Sequence, residues 1–338
     1  MTGPDLSPVR VVYLGTPAFA VPALRVLAER DDIDVSLVVT RPDRPVGRGR
    51  RVTRTEVATA ADALGMPVWQ PENLRTAVAR ARLTAERPDL MIVAAYGQIL
   101  GPKALAIPRV ACLNLHASLL PHYRGASPIA AAIAAGDDRT GVSLMVMGVG
   151  LDTGPVVATA DLAILADDTT ASLTGRLADL AAALIDREAR PYVSGDRPAV
   201  PQPPGACLTR PLVKSDGWLD WDLDAGNLER LTRAMWPWPR AWTTAAVAGD
   251  MVAIQVHAAR VGPDIAGVAA GTVVMVGGEL AVQTGHGSII LATIQFSSEG
   301  PKSGQDLARS GRLLPGTVLG DPSDAPPNRA PLTVPVPG

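Results

Sequence analysis

The sequence predicts an α/β protein of two domains, an open and mostly parallel sheet followed by a small β-barrel. Three observations predict it. Apolar strand-like runs alternate with helical patterns from Val9 to Ile133, as crossover helices on a parallel sheet require. Four prolines fall in nine residues between Arg197 and Gly205, a composition that marks a linker. From Trp242 to Ile294, short β-rich runs are broken by Gly249-Asp250, Gly277-Gly278 and Gly285-His286-Gly287, turn signals at the spacing of a small barrel. The expected boundaries are 9–197 for the first domain, 198–207 for the linker and 208–319 for the barrel. Residues 320–338 are expected to form a disordered tail, because the last eighteen residues contain six prolines.

In chain order, Val9 to Leu14 is an apolar run closed by Gly15, with Thr16-Pro17 reading as an N-cap and a first-turn proline before a helix from Ala18 to Leu27. The segment Gly15-Thr16-Pro17-Ala18-Phe19-Ala20 is not a dinucleotide-binding G-x-G-x-x-G, which disfavours a dehydrogenase. Asp34 to Val39 is the second strand. From Thr40 to Arg54, six arginines (41, 44, 48, 50, 51 and 54) face one acid, Asp43, while prolines and glycines interrupt any helix. This basic loop is either solvated surface or a phosphate site. Helices are expected at Glu56 to Leu64 and Leu74 to Glu86, around a short strand at Pro67 to Trp69. Asp89 to Ala95 is a two-sided apolar run, hence a buried parallel strand, and Tyr96-Gly97-Gln98 follows at its carboxyl end, where open sheets place ligands. Gly154 to Ile164 is extended, Ser172 to Ser194 helical, and Gln305 to Arg309 a turn or two of helix.

The balance of 31 basic and 33 acidic side chains excludes a globally basic nucleic-acid binder but not a local basic patch. No window approaches the roughly 20 apolar residues of a membrane span, and residues 1–8 lack the pattern of a signal peptide, so a cytoplasmic protein is expected. Cys112 and Cys207 stand alone, without the spacing of a disulfide framework or a zinc site, and no metal is expected.

The chemistry concentrates between Ala111 and Gly154. An apolar strand ends in Asn114-Leu115-His116, whose first and third residues share a face. Asp152 arrives in a second, glycine-rich segment, Gly148 to Gly154, where it can accept from one ring nitrogen of His116 and leave the other for chemistry. Taken singly, Asn114 reads as a turn-former, Asp152 as an Asx-turn and His116 as structural. Together they are equipment for acyl transfer.

These segments resemble the 10-formyltetrahydrofolate-dependent formyltransferases, over roughly Val9 to Leu319. The matching residues are Leu14 to Pro17, Arg41 to Arg51, Ala95 to Ile99, Asn114 to Pro121, Tyr123 to Ala126, Gly150 to Gly154, Asp220-Trp221 and Trp236 to Pro239. The arginine loop, the tryptophan-proline cluster and the barrel narrow the resemblance to the methionyl-tRNA formyltransferase family. A glycinamide ribonucleotide transformylase would stop near residue 200, and the aminoarabinose formyltransferase domain is not known for this loop. The chain departs from the family pattern at Val52 to Glu56 and at Ala206 to Pro211.

The resemblance implies a Rossmann-like catalytic domain and an OB-like barrel, acting together as a cytoplasmic monomer without a metal. The implied reaction moves a formyl group from 10-formyltetrahydrofolate to the amine of initiator methionyl-tRNA. Asn114, His116 and Asp152 are then catalytic. Tyr96, Gly97, Gln98 and Ile99, with Ser118, Leu119, Leu120, Pro121, Gly150 and Leu151, line the folate site. Arg41, Arg44, Arg48, Arg50 and Arg51 meet the acceptor stem, Arg48 foremost, and the barrel adds a second nucleic-acid surface. The alternatives are a formyltransferase for a nucleotide-sugar or other small amine and a catalytically retired tRNA-binding module.

Overall fold

The computed structural model describes residues 7–46, 51–247, 249–297, 299–326 and 330–336. The first domain opens with β1 (Val9–Gly15), α1 (Val21–Ala28), β2 (Ile33–Val39), the hairpin β3 (Arg44–Val46) and β4 (Arg51–Thr53), α2 (Glu56–Ala63) and β5 (Val68–Trp69). It continues through α3 (Ala77–Ala85), β6 (Leu90–Ala94), α4 (Pro102–Leu105), β7 (Ala111–His116), β8 (Arg124–Gly125), α5 (Pro128–Ala135), β9 (Arg139–Val146), β10 (Val156–Ala163) and α6 (Thr170–Ser194).

Seven strands form one sheet in the order β10-β9-β7-β6-β1-β2-β5. The five from β7 to β5 pair in parallel, while β9 and β10 add antiparallel strands at one side. Alternation along β1 explains its unbroken apolarity. Val11 and Tyr13 enter the core that α1 and α6 complete, and Val12 and Leu14 enter the core that α3 and α4 complete on the opposite face. The Thr55 side chain caps α2 by accepting from Ala58 N. A Thr169/Ser172 capping box opens α6, and Gly195 ends it at φ +86°. Thr16 is no helix cap. Its hydroxyl donates to the Tyr96 carbonyl at 2.8 Å, tying the end of β1 to the loop after β6.

Beyond α6 come β11 (Cys207–Thr209), α7 (Ala225–Ala234), β12 (Ala241–Val247), β13 (Asp250–Gly262), β14 (Val273–Val276), β15 (Glu279–Gln283), β16 (Ser288–Phe296), β17 (Lys302–Ser303), α8 (Gly304–Ser310) and β18 (Thr333–Pro335). The sheet β12-β13-β16-β15-β14 is antiparallel, with β17 added on β16. The segment 316–320 then bonds to both outer strands. Gly320 N donates to Thr244 O, Leu319 N to Gly271 O and Val273 N to Thr317 O, which closes the curl into the OB-like barrel.

Two further features differ from the sequence expectations. Helix α7 falls where none was expected; Asp224 caps it by accepting from Asn227 N, and Ala225, Leu228, Thr232 and Ala234 are buried. Its end meets the first domain, where Thr170 Oγ1 donates to Ala234 O and Arg233 Nη1 to Asp168 O. The tail is also not disordered throughout. In it, β18 pairs antiparallel with β11, which in turn pairs in parallel with β8 beside the site. Prolines disfavour central strands but are tolerated at an edge, the place β18 takes.

Candidate active site

Parallel strands β6 and β7 carry the site at their carboxyl ends. In β7, Leu113 and Leu115 face the α1/α6 core and Cys112 the opposite one, so Asn114 and His116 emerge together on the Cys112 side. Asp152 comes from the loop between β9 and β10, with φ +50°. That loop closes tightly: a Cβ on Gly154 would lie 1.8 Å from the Val146 carbonyl oxygen, so only glycine fits.

The three side chains meet. Asn114 Nδ2 donates to Asp152 Oδ1 at 3.4 Å, and the backbone N–H of Gly125 donates to Asp152 Oδ2 at 2.8 Å. His116 Nδ1 lies 3.6 Å from Asp152 Oδ2, with the two side chains 6% and 13% exposed. His116 Nε2 stands 2.9 Å from the Tyr123 carbonyl. A carbonyl can only accept, so Nε2 carries a hydrogen, and the nitrogen left for chemistry is Nδ1. The tautomer is therefore fixed by Tyr123, where the sequence reading gave that role to Asp152. The carboxylate shares the reactive side of the ring instead.

The residues expected to line a folate site divide by what their side chains do. The Tyr96 ring is buried in the core, and burial pushes its phenol well above the usual range. Gln98 holds the 71–74 loop, accepting from Leu74 N and donating to the Pro71 and Glu72 carbonyls. Ser118 is fully buried and donates to His122 O, while Ser143 donates to Ser118 O and accepts from Leu120 N. Leu120 and Pro121 are buried and Leu119 half-buried. These side chains shape the loops, and Gly97 and Gly150 offer backbone alone. The apolar groups open to solvent are Ile99, Val149 and Leu151. Ile99 and Val149 line a cavity of about 490 Å³ with Leu74 and Leu100, bordered by Arg75, Arg80 and Lys103. Its walls do not include Asn114, His116 or Asp152.

Of the basic loop, Arg41 donates to Gly97 O at 3.1 Å and so reaches the site, and Arg44 is exposed on β3. Arg51 lies in β4, and Arg48 and Arg50 lie outside the described residues. Arg54 is structural, bidentate on Asp62 at 2.6 and 2.8 Å. Sequence reasoning included Tyr123 and Gly125 in the matching segment Tyr123 to Ala126 without giving them a role, and missed Gln202. Gln202 Nε2 donates to the carbonyls of Asp152 and Gly154, both at 2.8 Å. Only its place between prolines set it apart in the sequence.

An open sheet carrying this trio, joined to a closed β-barrel, is the architecture of a formyl transferase. The formyl transferase family profile matches residues 9–187, and that of the formyl transferase C-terminal domain matches residues 211–312. The methionyl-tRNA formyltransferase of Myxococcus xanthus (strain DK1622) is 42% identical over 314 residues, 92% of this chain and 98% of that one. That of Stenotrophomonas maltophilia (strain R551-3) is 45% identical over 291 residues, 85% of this chain and 92% of that one. Within this class, the chain belongs to the methionyl-tRNA formyltransferase family.

Solved structures share the fold at low identity. HypX from Aquifex aeolicus in complex with tetrahydrofolic acid superposes with a TM-score of 0.59 at 16% identity, over 89% of this chain and 47% of that longer one, so this chain spans about half its length. The N-formyltransferase from Helicobacter canadensis, in complex with folinic acid and dTDP-3-aminofucose, gives 0.59 at 13% identity, over 84% of this chain and 98% of that one.

Proposed function

We propose that the chain, as a cytoplasmic monomer, transfers the formyl group of 10-formyltetrahydrofolate to the α-amine of initiator methionyl-tRNA, through Asn114, His116 and Asp152. The observation that carries the reading is the convergence of these three groups at one sheet end, in a chain whose similarity to methionyl-tRNA formyltransferases spans both domains.

The neutral amine attacks the formyl carbon, the carbonyl oxygen becomes an oxyanion, and the bond to N10 breaks as N10 takes up a proton. Asn114 Nδ2 is a donor aimed at the site, and it leaves Asp152 Oδ1 for the formyl oxygen as negative charge develops there. His116 Nδ1 and Asp152 receive the amine proton and return it toward N10. The exposed Ile99, Val149 and Leu151 and the adjoining cationic-rimmed cavity suit a flat apolar ligand with a carboxylate tail, as a folate has. Arg41, Arg44, Arg48, Arg50 and Arg51 hold acceptor-stem phosphates, which position the tRNA without reading its sequence.

Transfer of labelled formyl to initiator methionyl-tRNA tests this reading, with Asn114→Ala alongside. Loss of turnover in the variant by about 100-fold or more is expected. Indifference of the wild type to charged tRNA, with turnover on a soluble amino sugar, would move the chain to a small-amine substrate.

A further inference from the structure

The segment joining the domains runs beside both loops that build the catalytic centre. Asp152 (φ +50°) and Tyr123 (φ +55°) both occupy the left-handed region, which is strained for a non-glycine residue. Their surroundings must hold them there, and the linker contributes to that hold beside the bond from Gly125 N to Asp152 Oδ2. The two hydrogens of Gln202 Nε2 are both used, on the carbonyls of Asp152 and Gly154 at 2.8 Å. Its Oε1 accepts from Nε and Nη2 of Arg124 at 3.1 and 2.7 Å. Carbonyls on one side and a guanidinium on the other leave one orientation of the amide. One side chain thus ties the loop of the carboxylate to the loop whose Tyr123 carbonyl fixes His116. Thr209 adds a second tie on that loop, donating to Arg124 O and accepting from Ser127 N, both at 3.1 Å.

We propose that Gln202 is a positioning residue for formyl transfer, setting the separation of Asp152 from His116 through the Asp152 carbonyl and Arg124, with Thr209 as its second anchor. The linker is then part of the catalytic apparatus as well as the tether of the barrel. This rests on the reading of Asn114, His116 and Asp152 as the transfer centre.

The test compares kcat, KM for both substrates and Tm for the full-length wild type, Gln202→Ala, Gln202→Glu, Thr209→Val and Asp152→Asn. Gln202→Glu keeps the shape and the Arg124 contact but sets an acceptor against two carbonyls. If donation matters, Gln202→Glu behaves like Gln202→Ala, and both lose about 10- to 100-fold in kcat, since small misplacements cost that much. Both KM values stay within about threefold of wild type, the pattern of an interaction felt in the transition state. Thr209→Val falls in the same direction. Wild-type kcat in Gln202→Glu would overturn the proposal, as would an effect confined to KM. Should Gln202→Ala fail to fold, the isosteric Glu variant and Thr209→Val decide. Asp152→Asn at the wild-type rate would remove the transfer centre itself, whereas Asp152→Asn inactive beside fully active Gln202 variants removes only the positioning role.

Discussion

The closest donor to the Asp152 carboxylate is the backbone N–H of Gly125, 2.8 Å from Oδ2; His116 Nδ1 stands 3.6 Å from the same oxygen. The carboxylate is therefore placed by main chain before it interacts with the imidazole. A group so placed keeps its position when the ring gains or loses a proton, as a preorganised centre must.

Asp152→Asn should preserve the fold and destroy the electrostatics. The amide oxygen can still accept from Gly125 N, but its NH2 then confronts Asn114 Nδ2, donor against donor, and no charge faces His116 Nδ1. Turnover should fall about 100-fold or more with KM nearly unchanged, which steady-state kinetics will show.

Two glycines of the Asp152 loop should respond differently to alanine. In Gly154→Ala the new Cβ meets the Val146 carbonyl oxygen at 1.8 Å, an atom held in the β9–β10 connection. Overpacking of about 1–3 kcal/mol should lower Tm and activity together. In Gly150→Ala the conflict is with Thr153 Oγ1, a side chain free to rotate, and the effect should be smaller.

The arginines of the basic loop should separate by salt dependence. Arg44→Ala and Arg48→Ala should each weaken tRNA binding and reduce the slope of log affinity against log salt by about 1. Arg54→Ala should leave that slope unchanged and lower Tm instead, because Arg54 is committed to Asp62. Binding titrations at several salt concentrations decide.

The two cysteines should differ in alkylation. Burial pushes the Cys112 thiol up to about 12, so it stays protonated and shielded in the folded protein, and Cys207, half-buried, should react first. The linked stability follows with a definite sign. The unfolded chain ionises at this position from about pH 9 and then holds fewer protons than the folded one, so the Cys112 contribution favours unfolding as pH rises from 9 toward 12. Mass spectrometry after timed alkylation, and melting curves against pH, check the two statements.

Much of the architecture was legible because it rests on local chemistry. An apolar run closed by Gly15 identified β1, two-sided apolarity identified β6, and Asn114 and His116 share a face by the two-residue period of a strand. Other features lay in pairings between distant segments, which no local pattern records. Helix α7 is opened by the Asp224 side chain, which accepts from Asn227 N. The strand β18 exists only because β11 offers it an edge. The loop-supporting bonds within the expected folate segments were also hidden, since a side chain such as Gln98 shows its partners only once residues 71–74 lie beside it.

The sequence by itself determined which groups are available, an amide, an imidazole and a carboxylate at the ends of apolar segments, and which family pattern they belong to. The tertiary structure alone decided how they are held. It gave His116 Nε2 to the Tyr123 carbonyl, Asp152 Oδ2 to Gly125 N and the Asp152 carbonyl to Gln202. The physical reason is that main-chain N–H and C=O groups are the same at every position, so a sequence cannot label the few that will hold a catalytic side chain; only the folded path of the chain selects them.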